Sequence, residues 1–201
     1  MKFKFFFWLL LVFFTAFILY SVESVLIQRS ISEKTLRLHI VANSNCTEDQ
    51  MQKLRVRDHV LKELELLTRN CNSLEEVEST LLSNLEALRT SAQRFLLSEG
   101  CDRAVCITLC KESFPTRYYD TFRLPAGDYH SLRVQIGNAD GKNWWCVVFP
   151  SLCNAATEDA LQSYGQFGGY NEGECRFIKK SEPRYELRFK FLEWFKMLRF
   201  D

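Results

Sequence analysis

The sequence predicts an α+β domain carried on an N-terminal membrane helix. Three features predict it. An uncharged apolar run opens the chain, two long stretches hold an apolar stripe at steps of three and four, and shorter stretches alternate with period two. The elements read β-α-α-β-β-β, which favours two helices packed on a mostly antiparallel sheet, followed by a C-terminal basic amphipathic helix.

The first element is MKFKFFFWLLLVFFTAFILY. Lys2 and Lys4 precede a run from Phe5 to Val22 that carries no charge. At ~1.5 Å per residue that run spans about 27 Å, close to a hydrocarbon core. The run is longer than a secretory h-region, and AFILYSVES is a poor cleavage site, so an uncleaved signal anchor is favoured over a cleaved signal peptide. The lysines favour a cytoplasmic N-terminus and an exported remainder.

EKTLRLHIVAN, residues 33–43, sets Leu36, Leu38 and Ile40 against Arg37, His39 and Val41, a strand pattern. Thr47 with Gln50 reads as a capping box opening a helix to about Thr68, with Met51, Leu54, Leu61, Leu64 and Leu67 near one face. Ser73 caps the next helix, whose stripe is Leu74, Val77, Leu81, Leu85, Leu88, Ala92 and Phe95, and Gly100 ends it. RAVCITLCK alternates as a strand. A Pro-delimited piece, a turn at Pro125–Gly127 and a strand to Ile136 follow. GNADGKN is a turn-rich loop leading into WWCVVF, apolar on both faces and therefore covered on both. Domain limits follow: a signal anchor over 1–23, an extracytoplasmic domain over 24–153, a Gly-rich linker over 154–175 and a tail helix over 176–201.

Charge excludes one partner class. Residues 21–175 carry 16 Lys/Arg against 21 Asp/Glu, and residues 176–201 carry 8 against 4. The midsection has no nucleic-acid footprint. The basic tail suits an anionic membrane surface, its own domain or a partner.

Catalytic and metal motifs are lacking in the sequence. His39, His59 and His130 stand beside no Ser or Cys motif, and no C-x-x-C pair occurs. No cofactor is expected. Cys106 and Cys110 would lie ~13 Å apart on one strand face, too far to share zinc or a disulfide. Pro150-Ser151 can turn the chain between Cys146 and Cys153, which leaves a disulfide or two buried thiols as readings. Trp144 and Trp145 point to opposite strand faces, suggesting one for the core and one for a contact surface.

LRLHIVANSNCTEDQMQKLRVRDHVL (36–61) and FPTRYYDTFRLPAGDYHSLRVQIGNADGKNWWCVVFPSLC (114–153) together resemble the stage II sporulation protein R family of endospore-forming Firmicutes. Asp120, Asn45 and Ser151 depart from residues common in that family, and cysteines 46, 71, 101, 106, 110 and 175 lie outside its pattern. The resemblance implies signalling: export from the forespore into the intermembrane space, and activation there of SpoIIGA, a membrane aspartic protease that processes pro-sigma E. The candidate partner surface is Asn43, Ser44 and Asn45 with Asn138, Asp140, Lys142, Asn143, Trp144 and Trp145. The alternatives are an envelope hydrolase using carboxylates such as Asp58, Asp120 or Asp128, and a structural septal component.

Overall fold

A computed structural model of the chain describes residues 2–152 and 157–179. Helix α1 (Lys2–Glu33) leads into β1 (Leu36–Val41), then helices α2 (Thr47–Thr68) and α3 (Leu74–Ser98). Strand β2 (Val105–Phe114) follows, then the short β3 (Arg117–Tyr118) and β4 (Arg123–Leu124). Strands β5 (Gly127–Ile136) and β6 (Asn143–Phe149) precede helices α4 (Glu158–Phe167) and α5 (Glu172–Ile178). The architecture is α+β. Its main sheet has the order β2-β5-β1-β6, and β3 with β4 forms a separate two-stranded hairpin. The β1–β5 pairing is parallel, and the β1–β6 and β2–β5 pairings are antiparallel.

Strand β1 is buried at all six residues, as expected of a strand with neighbours on both edges and layers on both faces. Leu36, Leu38 and Ile40 meet Val56, Val60 and Leu64 of α2 and Val77, Leu81 and Leu88 of α3 in one core. Each such fully buried aliphatic side chain contributes roughly 1.5–3 kcal/mol. Arg37 and His39 face the other way, into a layer built from Ile31, Phe114, Phe122, Tyr129, Val147 and Phe177 among others.

Helix α3 buries Val77, Leu81, Leu88 and Ala92 of the predicted stripe, and Ser73 caps it by accepting from the Glu76 amide at 3.2 Å. Gly100 beyond its end takes φ +78°, the left-handed region where a side chain is strained. Helix α2 differs from its expected face. Its buried residues are Asp49, Lys53, Val56, Val60 and Leu64, and Met51 is half exposed. The leucine count pointed to a neighbouring stripe, whereas the real one runs through two valines and two charged residues. Its N-cap is Cys46, whose Sγ accepts from the Asp49 amide at 3.4 Å. Thr47 is the first helical residue, and the Gln50 side chain donates to the Ser44 carbonyl at 2.8 Å.

The stretch 154–175, read from composition as a linker, overlaps two capped helices, and α5 runs on to Ile178, into the expected tail. Thr157 caps α4, and Asn171 with Glu174 forms a capping box on α5. The glycines that suggested a loop sit in the α4 sequence and around the turn between the helices, with Gly169 at φ +82°. The tail helix expected over 176–201 lies outside the described residues from 180 onward.

Helix α1 is long and apolar enough to cross a membrane, and its side chains from Phe5 to Phe14 are exposed. Its last turns are a different surface. Ile27 and Ile31 pack into the second core layer, and Ser30 and Lys34 hydrogen-bond the Glu174 carboxylate, the lysine at 2.8 and 2.9 Å. Glu174 is 1% exposed. Burial works to raise its pKa, but Lys34, Ser30 and the Asn171 amide outweigh that and hold the carboxyl below its usual range.

Because the folded value is depressed, this stabilisation is complete above the unfolded carboxylate pKa of about 4.3 and is lost as pH falls through the folded value. Replacing Glu174→Gln should cost about 2 kcal/mol in denaturant unfolding at pH 7. That is less than for a fully buried pair, because Lys34 keeps about a third of its exposure. The variant should also show a flatter loss of stability between roughly pH 5 and pH 3.

Candidate functional site

The parallel pairing of β1 and β5 brings both strands to the same end of the sheet, and the β5–β6 turn lies there too. The loop after β1 therefore meets residues 137–142. The ladder continues past the strands: the Gly141 amide donates to the Ala42 carbonyl at 2.9 Å and the Asp140 amide to the Asn43 carbonyl at 3.1 Å. Asn43 joins three segments. Its Oδ1 accepts from the Asn138 amide at 3.0 Å, and its Nδ2 donates to Asp49 Oδ2 at 2.7 Å. Asn45 Oδ1 accepts from the Lys142 amide at 2.8 Å. Lys53 donates from below to the Lys142 carbonyl and to Gln50. Burial lowers the Lys53 pKa, with the nearby charges of Lys142 and Arg57 adding to it. Asp49 is also ion-paired with Arg103.

Glycine is required at two positions of this contact. Gly137 has φ +57°, and a Cβ there would lie 2.2 Å from Asn43 Oδ1. A Cβ on Gly141 would lie 2.3 Å from the Ser44 carbonyl oxygen.

The predicted surface residues divide into two groups. Asn43 and Asn45 fasten the loops to each other, and Ser44 accepts from the Cys46 amide. Asn138, Asp140 and Lys142 are exposed. Asn143 is exposed as well and hydrogen-bonds His39 Nε2 at 3.0 Å. Trp144 and Trp145 are both half-buried, one against each core layer, so neither is wholly core. Each carries an arginine on its ring, Arg57 at 5.1 Å on Trp144 and Arg117 at 3.6 Å on Trp145.

Cys146 is half of a disulfide. Cys153, the partner the sequence suggests, lies outside the described residues. The six cysteines at 46, 71, 101, 106, 110 and 175 are free thiols. Burial pushes the Cys110 and Cys175 thiols up, with Glu112 and Glu174 respectively adding to the effect, which makes both poor nucleophiles. Among the described residues no group of three His, Cys, Asp or Glu side chains could hold a metal ion.

Asp58 on α2, Asp120 in the hairpin and Asp128 on β5 are exposed and stand on separate elements. The histidines are dispersed too. His39 Nδ1 meets Glu112 at 2.9 Å, and His130 pairs with Glu78. His59 contacts Ser91 Oγ at 2.9 Å in a groove between α2 and α3. Thirty-two residues separate that pair, and only the helix packing reveals it. His59 stacks on Phe95 at 4.5 Å, and the groove walls are helix faces, whose interior amides are already hydrogen-bonded along the helix. A Ser–His contact there lacks the amide donors that acyl transfer requires.

Sequence reasoning missed Arg37. It is 0% exposed. Its guanidinium lies 4.0 Å from the Phe114 ring centroid and 5.0 Å from that of Tyr129, and Nη2 donates to the Tyr119 hydroxyl at 3.1 Å. Nε and Nη1 have no acceptor among the described residues. Burial lowers its pKa. A buried ion without a counter-ion costs several kcal/mol, and cation–π contacts return about 2 kcal/mol. The available signal was a charge at an inward position of a strand apolar on its other face.

The model of the stage II sporulation protein R family matches residues 32–159. The chain belongs to that family. The match takes in β1, the paired loops, Arg37, the hairpin and Cys146, and it begins where α1 joins the sheet. A curated relative, stage II sporulation protein R of Bacillus subtilis (strain 168), is 37% identical over 123 residues, which are 61% of this chain and 55% of the relative. The chain thus spans about half the length of that relative. No solved structure matches.

Two substitutions separate the roles within the loops. Gly137→Ala should destabilise by about 1–3 kcal/mol and speed amide exchange at Asn138, because the strain and the clash both fall on Asn43. Asp140→Ala removes only an exposed side chain and should change stability by less than about 0.5 kcal/mol.

Proposed function

We propose that this chain is an exported sporulation signal that binds and activates a membrane aspartic protease of the SpoIIGA type, leading to pro-sigma E processing in the mother cell. It acts from the space between forespore and mother-cell membranes. The observation that carries this reading is the position of the paired loops. Helix α1 meets the domain only through its last turns, and β1 then runs away from that junction for six residues, about 20 Å. Asn138, Asp140, Lys142 and the edge of Trp144 thus form the end of the domain remote from the apolar helix, where a partner in a facing membrane would be met. The apolar stretch over residues 5–22 serves as anchor.

Activation then needs no chemistry by this chain. A protease assembled from two membrane-bound halves is switched on by any ligand that favours the assembled state, in proportion to its differential affinity for that state. The domain limits follow the same logic: 24–153 carries the signal. We further propose that Cys146 pairs with Cys153, closing a loop of about eight residues. Under oxidising conditions that closure is worth about 2–3 kcal/mol by the chain-entropy estimate, and Cys146→Ser should lower unfolding stability by that amount.

Co-expression with SpoIIGA and pro-sigma E in a non-sporulating host is the direct test. The unaltered chain should give cleaved sigma E. Combined alanine substitution of Asn138, Asp140 and Lys142 should reduce cleavage at least tenfold with export and folding unchanged. Absence of cleavage with all three proteins present and exported would defeat the reading. The rival reading, an envelope hydrolase, has the His59–Ser91 contact as its only Ser–His pair among the described residues, in a groove that lacks the amide donors for acyl transfer. Ser91→Ala should leave cleavage unaffected under the signalling reading and abolish function under the hydrolytic one.

A further inference from the structure

The second face of the sheet gathers cations over aromatic rings and leaves them short of acceptors. Arg37 lies against Phe114 and Tyr129, and Arg117 lies on Trp145. His39 stacks on the same Trp145, with centroids 5.7 Å apart, and stands 6.0 Å from Phe114. The two guanidiniums are close enough that the charge of Arg117 adds to burial in lowering the Arg37 pKa. Arg117 Nε is buried and, like Nε and Nη1 of Arg37, has no acceptor among the described residues.

Glu112 and Glu174, the half-buried and buried acids on this side of the sheet, are engaged by other partners. Glu112 takes His39 at 2.9 Å and stands 3.9 Å from Arg133. Glu174 is held by Lys34 and Ser30. The acceptor given to Arg37 is a neutral phenol, Tyr119, on the hairpin that covers it. That hairpin has a two-pair ladder, Arg117–Leu124 and Tyr118–Arg123, closed by the Tyr119 amide donating to the Phe122 carbonyl at 2.8 Å, and its Phe122 bridges to Lys179. It is the least-paired sheet on this side, and it carries both Arg117 and Tyr119.

We propose that the Arg37–Arg117 cage binds a carboxylate presented by an acidic side chain of a partner polypeptide. The orphaned nitrogens supply four N–H groups: one on Arg37 Nε, two on its Nη1 and one on Arg117 Nε. A carboxylate offers about four lone-pair sites and one negative charge, and it is planar, like the guanidiniums and the rings beside them. A phosphate is tetrahedral and brings a third acceptor oxygen, which a slot between planar aromatic walls accommodates less readily than a planar carboxylate. Entry requires the hairpin to lift, which exchanges the Tyr119 hydroxyl for the incoming anion. The site faces away from the α2–α3 layer and is separate from Asn138, Asp140 and Lys142, so it stands whether or not those residues contact the protease.

The test uses the full chain in detergent micelles, with the amide of N-acetylglutamate as probe. Acetamide is the neutral control, and inorganic phosphate at matched ionic strength is the rival anion. The probe should raise the unfolding temperature saturably and shift a tryptophan emission component that Trp145→Phe removes. Arg37→Met should weaken binding at least tenfold, and Arg117→Met at least threefold with loss of the emission shift. If Arg37→Met does not fold, the part-exposed Arg117 variant carries the same decision. Equal responses in unaltered and Arg117→Met protein would mean an adventitious ion only and would overturn the proposal. So would tighter binding of phosphate, which would point to a phosphorylated ligand or lipid headgroup, or the absence of any saturable response.

Discussion

Strand β1 is hydrogen-bonded along both edges and covered on both faces, and most of the molecule is arranged by that position. It is the second element in the chain, yet both of its sheet neighbours come after residue 126. The sheet therefore closes only when the C-terminal half arrives, and its central contacts span about a hundred residues. Long-range pairing of this kind makes for slow folding compared with a helical bundle. The helical hairpin of α2 and α3 is local, and it offers a preformed apolar face on which β1 and β5 can settle.

The same strand ties the two functional candidates together. Its C-terminal end delivers Asn43 and Asn45 to the β5–β6 turn, and its inward face delivers Arg37 and His39 to the aromatic layer. His39 pairs directly with Trp145 across the β1–β6 ladder and bonds Asn143, which abuts the exposed loop. A shift of the hairpin over Arg37 and a shift of the loop at Asn143 thus meet at one imidazole. Glu112 on the other side of His39 is pulled upward in pKa by burial, but Ser131 and His39 outweigh that and keep it ionised.

The repeating patterns were legible. Helix α3, the alternation of β1 and the double-sided apolar character of β6 all follow from side-chain period, and period is what the sequence states directly. Where polar groups are buried for a specific partner, period misleads. The buried stripe of α2 was displaced because Asp49 and Lys53 are inside it, held there by Asn43, Arg103 and Lys142. Glycine content hid α4 and α5, since Gly165 and Gly173 lie within helices where neighbours leave little room for a side chain. The alternation of faces along β6 holds through Val148 and then slips: Leu36 pairs with Phe149 and Arg37 with Val147, so the bulge puts Phe149 on the helical side with Val148. Arg37 could be seen as an inward charge, but its lack of an acceptor depends on residues from β2, the hairpin and β5.

The junction of α1 with the domain has a mechanical meaning. Ile27 and Ile31 are already core side chains, and Glu174 grips the helix end, so about four residues separate Val22 from the first packed turn. At ~1.5 Å per residue that leaves roughly 6 Å of free helix, a bracket rather than a leash. A domain on a flexible tether explores a hemisphere and meets its target at an effective concentration set by linker length. A domain on a bracket presents one end at one height. In the signalling role proposed above, its encounter rate would then depend on how far apart two membranes stand, so the width of the gap itself would become an input.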